Sequence, residues 1–553
     1  MIKRKNTKLV NILFLVFILI LSACGSNGSS QPSGTDTKSK ENTASKTEAD
    51  SATSKQGGKV TIPIVGDPIF NPWHPNAYAE SNLVNRVIFS GLTRPGEDLA
   101  PSPHLAESWE ASEDGMIWTF HLRKNVKWHD GEQFTAEDVA FTFNDIVLNP
   151  DLGANGSSNF KTVERVEVVD EFTVNFHMKT ANAALPAYLG FNAEIIPQHK
   201  FVGEDPWELT SFNKEAPVGT GPFKVGKYIS GQSVELVRND DFYAGAPNLD
   251  SVIFKIVPDA NTQIAQALSG ELDLFVVEDK AAIDRLKSSE KLEVVANDTT
   301  KYFWISLNQE NELFTDVRVR QAFVHAIDRQ AIIDTVLKGY AKIADAAITP
   351  NQSFYYTDQV TRYEFNPEKA KQLLAEAGWT DSDGDGIVDK DGKKFSFLFE
   401  IAQQGDLEPV GQMVHQYLKD IGLDVEFKTL EWNTMIQKNV INRDYEMILN
   451  WWAYPTDPDV FAQYFSGNAG KGNNIPGYQD EKLDELLLKG QQTSDPEERK
   501  KIYTEVQQYM SDTLPYLYLW YPQEISVTSV RVHGAPEMYM GGKLYYINEV
   551  WVE

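Results

Sequence analysis

From residue 59 onward the chain alternates hydrophobic and polar positions in long succession, now with the period of a strand, now with that of a helix. Val60, Ile62 and Ile64 alternate within residues 59–65, as in a strand with one buried face. Residues 78–92 read as a loop entering a helix, with Leu83, Val84, Val87 and Ile88 on one side. Trp118, Phe120 and Leu122 alternate with polar neighbours, and residues 123–131 predict a second strand ending in the Asp130-Gly131 turn. Thr135 and Asp138 have the spacing of a capping box, which predicts a helix over residues 136–148. Residues 163–169 and 172–178 predict a hairpin about Asp170 and Glu171.

Further on, Gly219-Thr220-Gly221-Pro222-Phe223 predicts a tight crossing between segments. It is not a dinucleotide fingerprint, because Lys224 stands where the third glycine is needed. Strands are expected at residues 234–237, 251–256, 302–307 and 395–401, and a short one after Gly270-Glu271-Leu272-Asp273. Residues 262–269 read as a helix. Another is capped by Asp316, with Ala322, Phe323, Ala326 and Ile327 sharing a face. Asn366-Pro367-Glu368 and Asp495-Pro496-Glu497 each place a cap before a proline at the first helical position. The first helix stops at Gly378; the second buries Ile502, Val506, Tyr509 and Met510. Strands and helices mixed throughout predict an α/β protein. At 553 residues the chain exceeds one hydrophobic core, so at least two domains are expected.

The start of the chain follows another logic. Lys3, Arg4, Lys5 and Lys8 precede an apolar run, residues 9–21, broken only by Asn11 and too short to span a bilayer. Leu21-Ser22-Ala23-Cys24 then matches the lipobox of bacterial lipoproteins. Residues 1–23 therefore read as a signal peptide, and Cys24 as the thiol that becomes a lipid-bearing thioether. Cys24 is the sole cysteine, so no disulfide within the chain and no cysteine metal cluster can form. Residues 24–58 are rich in Ser, Thr, Gly, Lys and Asp and cannot bury enough surface to fold. They read as a flexible tether with a reach of about 30–35 Å.

Charge narrows the class of partner. The formal net charge is −28, and it becomes more negative once the basic leader is removed. Such a surface repels nucleic acid and anionic lipid, so contact with the membrane is expected through the lipid anchor only. Hydrophobic residues at 42% and aromatics at 11% suit large folded lobes. No HExxH, GxSxG or P-loop is present, and the nine histidines are scattered without zinc-ligand spacing. A binding protein is thus expected rather than an enzyme, with a secreted hydrolase as the remote alternative. Asp381, Asp383, Asp385 and Asp389 fall at positions 1, 3, 5 and 9 of a loop with Gly386 at position 6, the spacing of a calcium loop. Gly392 occupies position 12, where a bidentate glutamate belongs. The loop is a candidate for a structural calcium ion; no other cofactor is expected.

Several runs together resemble a known family: Ala106-Glu107-Ser108-Trp109, Trp118-Thr119-Phe120, Val126-Lys127-Trp128-His129-Asp130-Gly131 and Ala136-Glu137-Asp138-Val139. Gly219-Thr220-Gly221-Pro222-Phe223, Gly270-Glu271-Leu272-Asp273 and Val319-Arg320-Gln321-Ala322 add to them. By these motifs the chain is similar, over nearly everything after Gly58, to the family 5 extracellular solute-binding proteins. Within that family it looks most like oligopeptide binders of Gram-positive bacteria. The resemblance implies a two-lobed clam of type II with an extra domain inserted in the first lobe. Lobe 1 is expected at residues 59–93, 218–307 and 523–553, the insertion at 94–217, and lobe 2 at 308–522. It also implies a monomer at the extracellular face of the cytoplasmic membrane that passes peptides to the permease of an ABC importer. Oligosaccharides or nickel complexes are the alternative cargo.

The resemblance further implies a site where the ligand peptide is added as a strand. Asn76, Ala77 and Tyr78 match one contact segment, and Asn450, Trp451, Trp452, Ala453 and Tyr454 the other. Trp451 and Trp452 are adjacent, so only one of them readily faces the cleft. Trp432 stands where the family often has a pocket aromatic, and Asn473, Asn474 and Tyr478 resemble a cleft-edge loop. Many peptide binders hold the ligand's ammonium with an Asp three residues after the strand tryptophan; Pro455 occupies that place here. Asp457 is the expected substitute.

Overall fold

The computed structural model describes residues 56–453, 456–469 and 473–553. The leader, Cys24, most of the tether, Tyr454 and Pro455 lie outside them. Among the described residues no helix is long and apolar enough to cross a membrane.

Strand Lys59–Ile64 opens the first lobe. It is buried at every position but Lys59 and runs parallel to Ser251–Ile256. Ser233–Arg238 and Phe223–Ile229 complete this four-stranded sheet. Helix Ala79–Ile88 packs on it through Val84, Val87 and Ile88. The glycine crossing passes directly over the end of that helix. A Cβ on Gly219 would sit 2.0 Å from the Ile88 carbonyl oxygen, and one on Gly221 2.6 Å from it. Only a residue without a side chain fits there.

Residues 94–217 carry an antiparallel sheet in the order Ala106–Ala111, Ile117–Leu122, Thr173–Met178, Val163–Asp170. Trp118, Phe120 and Leu122 face inward, as do Val174, Phe176 and Met178. These side chains share one apolar cluster with Val60, Ile62 and Phe254, so the insertion does not keep a core of its own.

Two local expectations fail here. Residues 123–131 form no strand. Their buried anchors are Val126 and Trp128, while Gly131 turns at φ +93° to return Lys127 toward Gln133. His129 explains the irregularity. Gly219 N–H donates to its Nδ1 at 3.2 Å, and its Nε2 lies 3.0 Å from the Gly221 carbonyl oxygen. The imidazole thus pins the glycine crossing. The helix expected over 136–148 is α-helical only at Ala136–Phe141 and continues as a π-turn over Thr142–Val147. The Thr142 hydroxyl donates to the Asp138 carbonyl at 2.8 Å and takes the Ile196 N–H at 3.1 Å, which opens the helical ladder. The Thr135–Asp138 capping box forms as the spacing predicts.

The second lobe is built on Lys301–Leu307, Met447–Ala453, Ser396–Ala402 and Asp424–Leu430. The 13-residue strand Leu517–Ser529 joins the two halves. Its first part pairs with Lys301–Leu307 and Ala341–Ile343, its second with Leu292–Asp298 and Leu274–Val277. Pro522, which has no N–H to offer a ladder, sits where the partners change. Tyr302, Trp304, Ile305 and Leu307 pack in the core of the second lobe. The passage between lobes therefore lies at Thr299 and Thr300, not after Leu307.

Burial pushes His129 down to about 4, so it is neutral in the folded protein at pH 7. A depressed histidine contributes stability above the unfolded value of about 6.5 and loses it as pH falls toward 4. Urea unfolding is expected to show a loss of up to about 3 kcal/mol between pH 7 and pH 4 from this group. In His129→Gln that part of the pH dependence should vanish.

Candidate functional site

Successive strand residues point to opposite faces, and this sorts the aromatic residues of the second lobe. Tyr302, Trp304 and Tyr518 face the core, where Trp452 packs on Trp304 with ring centres 5.6 Å apart. Lys301, Phe303, Trp451 and Trp520 face the other way. Phe303 lies opposite both Trp451 and Trp520 and stacks on Trp520 at 4.8 Å. Trp451 stacks on Trp432 at 6.3 Å with a 17° angle between rings. Of the two adjacent tryptophans, Trp451 enters the groove and Trp452 does not.

This face forms one wall of a cavity of about 440 Å³. Gln404, Gly405, Asp406 and Leu407 close one side, and Val276, Val277, Glu278 and Glu524 reach it from the first lobe. The same Val276, Val277 and Glu278 line an adjoining cavity of about 240 Å³ at the ends of the parallel strands, beside Val65, Ala79 and Glu80. The two adjoin at Val276, Val277 and Glu278; the larger lies between the lobes and the smaller is lined from the first lobe. The ion pair Lys280–Asp406, at 2.5 Å, spans the larger from one lobe to the other.

Strand pairing leaves an open edge here. Ser396–Ala402 pairs with Met447–Ala453 only as far as Ile401 and Leu449. Among the described residues, 451–453 pair with Lys301–Leu307 on one side and with no strand on the other. Asn450, buried, uses its side-chain oxygen to take the Trp451 N–H at 2.8 Å.

Several expected contacts lie elsewhere. Asn76 and Tyr78 are exposed, and neither they nor Ala77 line the two cavities. Ala77 has both main-chain groups engaged: its N–H donates to the His74 carbonyl at 2.8 Å, and its carbonyl accepts from Asn155 Nδ2 at 2.7 Å. Ala79 and Glu80, just beyond, line the groove instead. Asn474 is fully buried; its amide donates to the Tyr478 carbonyl at 2.8 Å and accepts the Tyr478 N–H at 3.1 Å. It ties its own loop together. Tyr478 is buried with its hydroxyl on Asp480, and the Asn473 carbonyl accepts from the Tyr516 hydroxyl.

Asp457 does not replace the missing aspartate. It is 8% exposed and holds Arg499 through two bonds, at 2.5 and 2.7 Å. A ligand ammonium could reach it only by breaking a buried ion pair. Asp459 is buried beside it, and burial together with the Asp457 charge pushes its carboxyl up. Its oxygen lies 3.4 Å from Tyr188 of the inserted segment, a contact across the lobes.

Asp381, Asp383 and Asp385 lie with carboxylate oxygens within 4.8 Å of one another. Asp389 does not join them, because its carboxylate takes the Ser382 N–H at 2.9 Å and the Ser382 hydroxyl. The ammonium of Lys394 pairs with Asp385 and lies 4.0 Å from Asp383. A chain cation thus already stands against two of the three exposed carboxylates.

Lys301, Phe303, Trp520, Glu278 and Glu524 were not singled out by their sequence. The alternation Lys301-Phe303-Ile305 against Tyr302-Trp304-Ser306 carried the signal, but which face met the ligand depended on strands distant in sequence. Burial pushes the Lys301 ammonium down, partly offset by Glu278 and Glu524. Burial pushes the Glu524 carboxyl up.

A groove between two α/β lobes joined by crossing strands defines a solute-binding protein. Residues 100–473 match the model of the bacterial extracellular solute-binding proteins, family 5 (middle region), and the chain belongs to that family. It is 33% identical over its whole length to the oligopeptide-binding protein AppA of Bacillus subtilis, covering 99% of that protein. The structure of that AppA in complex with a nonapeptide superposes with a TM-score of 0.73 at 32% identity, over 91% of this chain and all of the other. NikZ from Campylobacter jejuni in complex with Ni(L-His) is also similar, with a TM-score of 0.73 at 26% identity over 90% of this chain and all of the other.

Arg499→Met, which strands the buried Asp457 carboxylate, is expected to destabilise the protein by about 3–5 kcal/mol in urea unfolding. Asp457→Asn should act in the same direction, while the melting shift on adding a bound peptide stays unchanged.

Proposed function

We propose that this protein captures extended peptides in the groove between its lobes and presents them to the permease of an ABC importer. The open edge at residues 451–453 carries this reading. An extended peptide has unpaired N–H and C=O groups that such an edge satisfies by strand addition. Each such bond nets only about 0.5–1.5 kcal/mol, and it does not depend on the peptide's side chains. Aromatic walls at Trp432, Trp451 and Phe303, the last backed by buried Trp520, then supply apolar contact for varied side chains. The nonapeptide bound by AppA supports the same cargo class.

The lobes meet through strands that continue from one to the other, so closure is a bend at Thr299, Thr300 and Pro522. A peptide favours the closed form only by binding it more tightly than the open one. Lipid on Cys24 keeps the protein, as a monomer, at the extracellular face of the cytoplasmic membrane. No catalytic step is assigned. The stacked tryptophans also suit a sugar ring or a compact chelate, which is the second reading of the cargo.

Mass spectrometry of what co-purifies with the protein tests this directly. Peptides of several sequences are expected; a single non-peptide solute in their place contradicts the reading. Trp451→Ala should weaken peptide binding at least about tenfold in calorimetry with little change in melting. Trp452→Ala should instead destabilise the fold by about 3 kcal/mol. Cys24→Ser should release the protein into the medium, as read by fractionation; retention in the membrane contradicts lipidation at Cys24.

A further inference from the structure

Lys301 is out of keeping with its surroundings. It begins a strand whose other residues are largely buried, and its ammonium rests 3.8 Å from the centre of the Trp451 ring. Trp451 in turn rests on Trp432, so cation and two indoles form one stack at the groove wall. Two lysines line the 440 Å³ cavity. Lys280 is ion-paired to Asp406. Among the described residues, no carboxylate comes within ion-pair distance of Lys301; Glu278 and Glu524 act on it only from further away. A cation held partly out of water on the Trp451 and Phe303 rings, with no carboxylate paired to it, gains from an incoming carboxylate.

Its position gives the pairing a consequence. Lys301 lies opposite Ala453 on the paired side of strand Met447–Ala453, and its side chain reaches over the Trp451 ring at the cavity wall. A peptide whose side chains or terminus enter the cavity lined by Trp451 and Lys301 comes within reach of that ammonium. Strand addition alone allows slippage, because main-chain bonds repeat along the peptide. One fixed charge contact would select a register. The acid that could have held the peptide's ammonium is absent, and Asp457 is consumed by Arg499.

We propose that Lys301 anchors a carboxylate of the bound peptide, so that this groove fixes its ligand by a negative group rather than by the peptide's ammonium. The proposal rests on the peptide reading above. The carboxylate can be the peptide's C-terminus or an acidic side chain; Lys301 then acts as a specificity-determining residue by direct contact.

Calorimetry with the full folded chain separates the outcomes. The probes are hexa-alanine as the free acid, the same peptide as its C-terminal amide, and the amide with one alanine replaced by glutamate. The free acid is expected to bind at least about tenfold more tightly than the amide if the C-terminus is the partner. The glutamate-containing amide should recover that affinity if a side chain is. Lys301→Met should remove the preference, and Lys301→Arg should keep it, with melting curves confirming both folds. Equal binding of all three probes to the unaltered protein overturns the proposal and leaves peptide capture standing. Binding of none of them overturns the peptide reading as well.

Discussion

One strand holds this molecule together as a clam. Leu517–Ser529 is laddered to the second lobe over its first half and to the first lobe over its second half. A strand shared in this way keeps the lobes at a fixed lateral position while allowing them to bend about the point where its partners change. Pro522 marks that point and removes one ladder bond from it. The groove, the ion pair between Lys280 and Asp406, and the contact of Tyr188 with Asp459 all lie at surfaces that this strand brings together.

The same sheet sets the binding chemistry. Ser396–Ala402 and Met447–Ala453 part company after Ile401 and Leu449, and the edge they uncover faces the cavity. Strand periodicity then divides the aromatic residues between two tasks. Trp304 and Tyr302 hold the lobe's core with Trp452 packed against it, and Phe303 and Trp451 line the groove with Trp520 buried behind Phe303. A strongly acidic protein thereby presents an aromatic wall with one lysine on it.

Much of the fold was legible in the sequence because its signals are local. Asp316, Asn366 and Asp495 cap helices where their spacing says they should, and Pro367 and Pro496 open the first turn. The glycines of the crossing were recognisable as a close approach, although what they approach, the Ile88 carbonyl, was not. Residues 123–131 misled because Val126 and Trp128 alternate like a strand while the segment's partner is the glycine crossing, ninety residues away through His129. The site was less legible. The Asp457 pairing with Arg499 joins residues on separate elements, and no local pattern announces it. Asn474 looked available because an amide on a loop does, yet its loop folds around it. Nothing in the sequence marks Lys301, because a lysine at a strand's start is ordinary until Trp451 is placed beneath it.

The central claim is that the ligand is held as an added strand along residues 451–453. Amide hydrogen exchange, read with and without a bound peptide, tests it most directly. The account predicts that within residues 451–453 exchange slows markedly, when peptide is present, at the N–H that neither the Lys301–Leu307 ladder nor the Asn450 side chain already engages. Unchanged exchange at these residues, with slowing elsewhere in the groove, would contradict it.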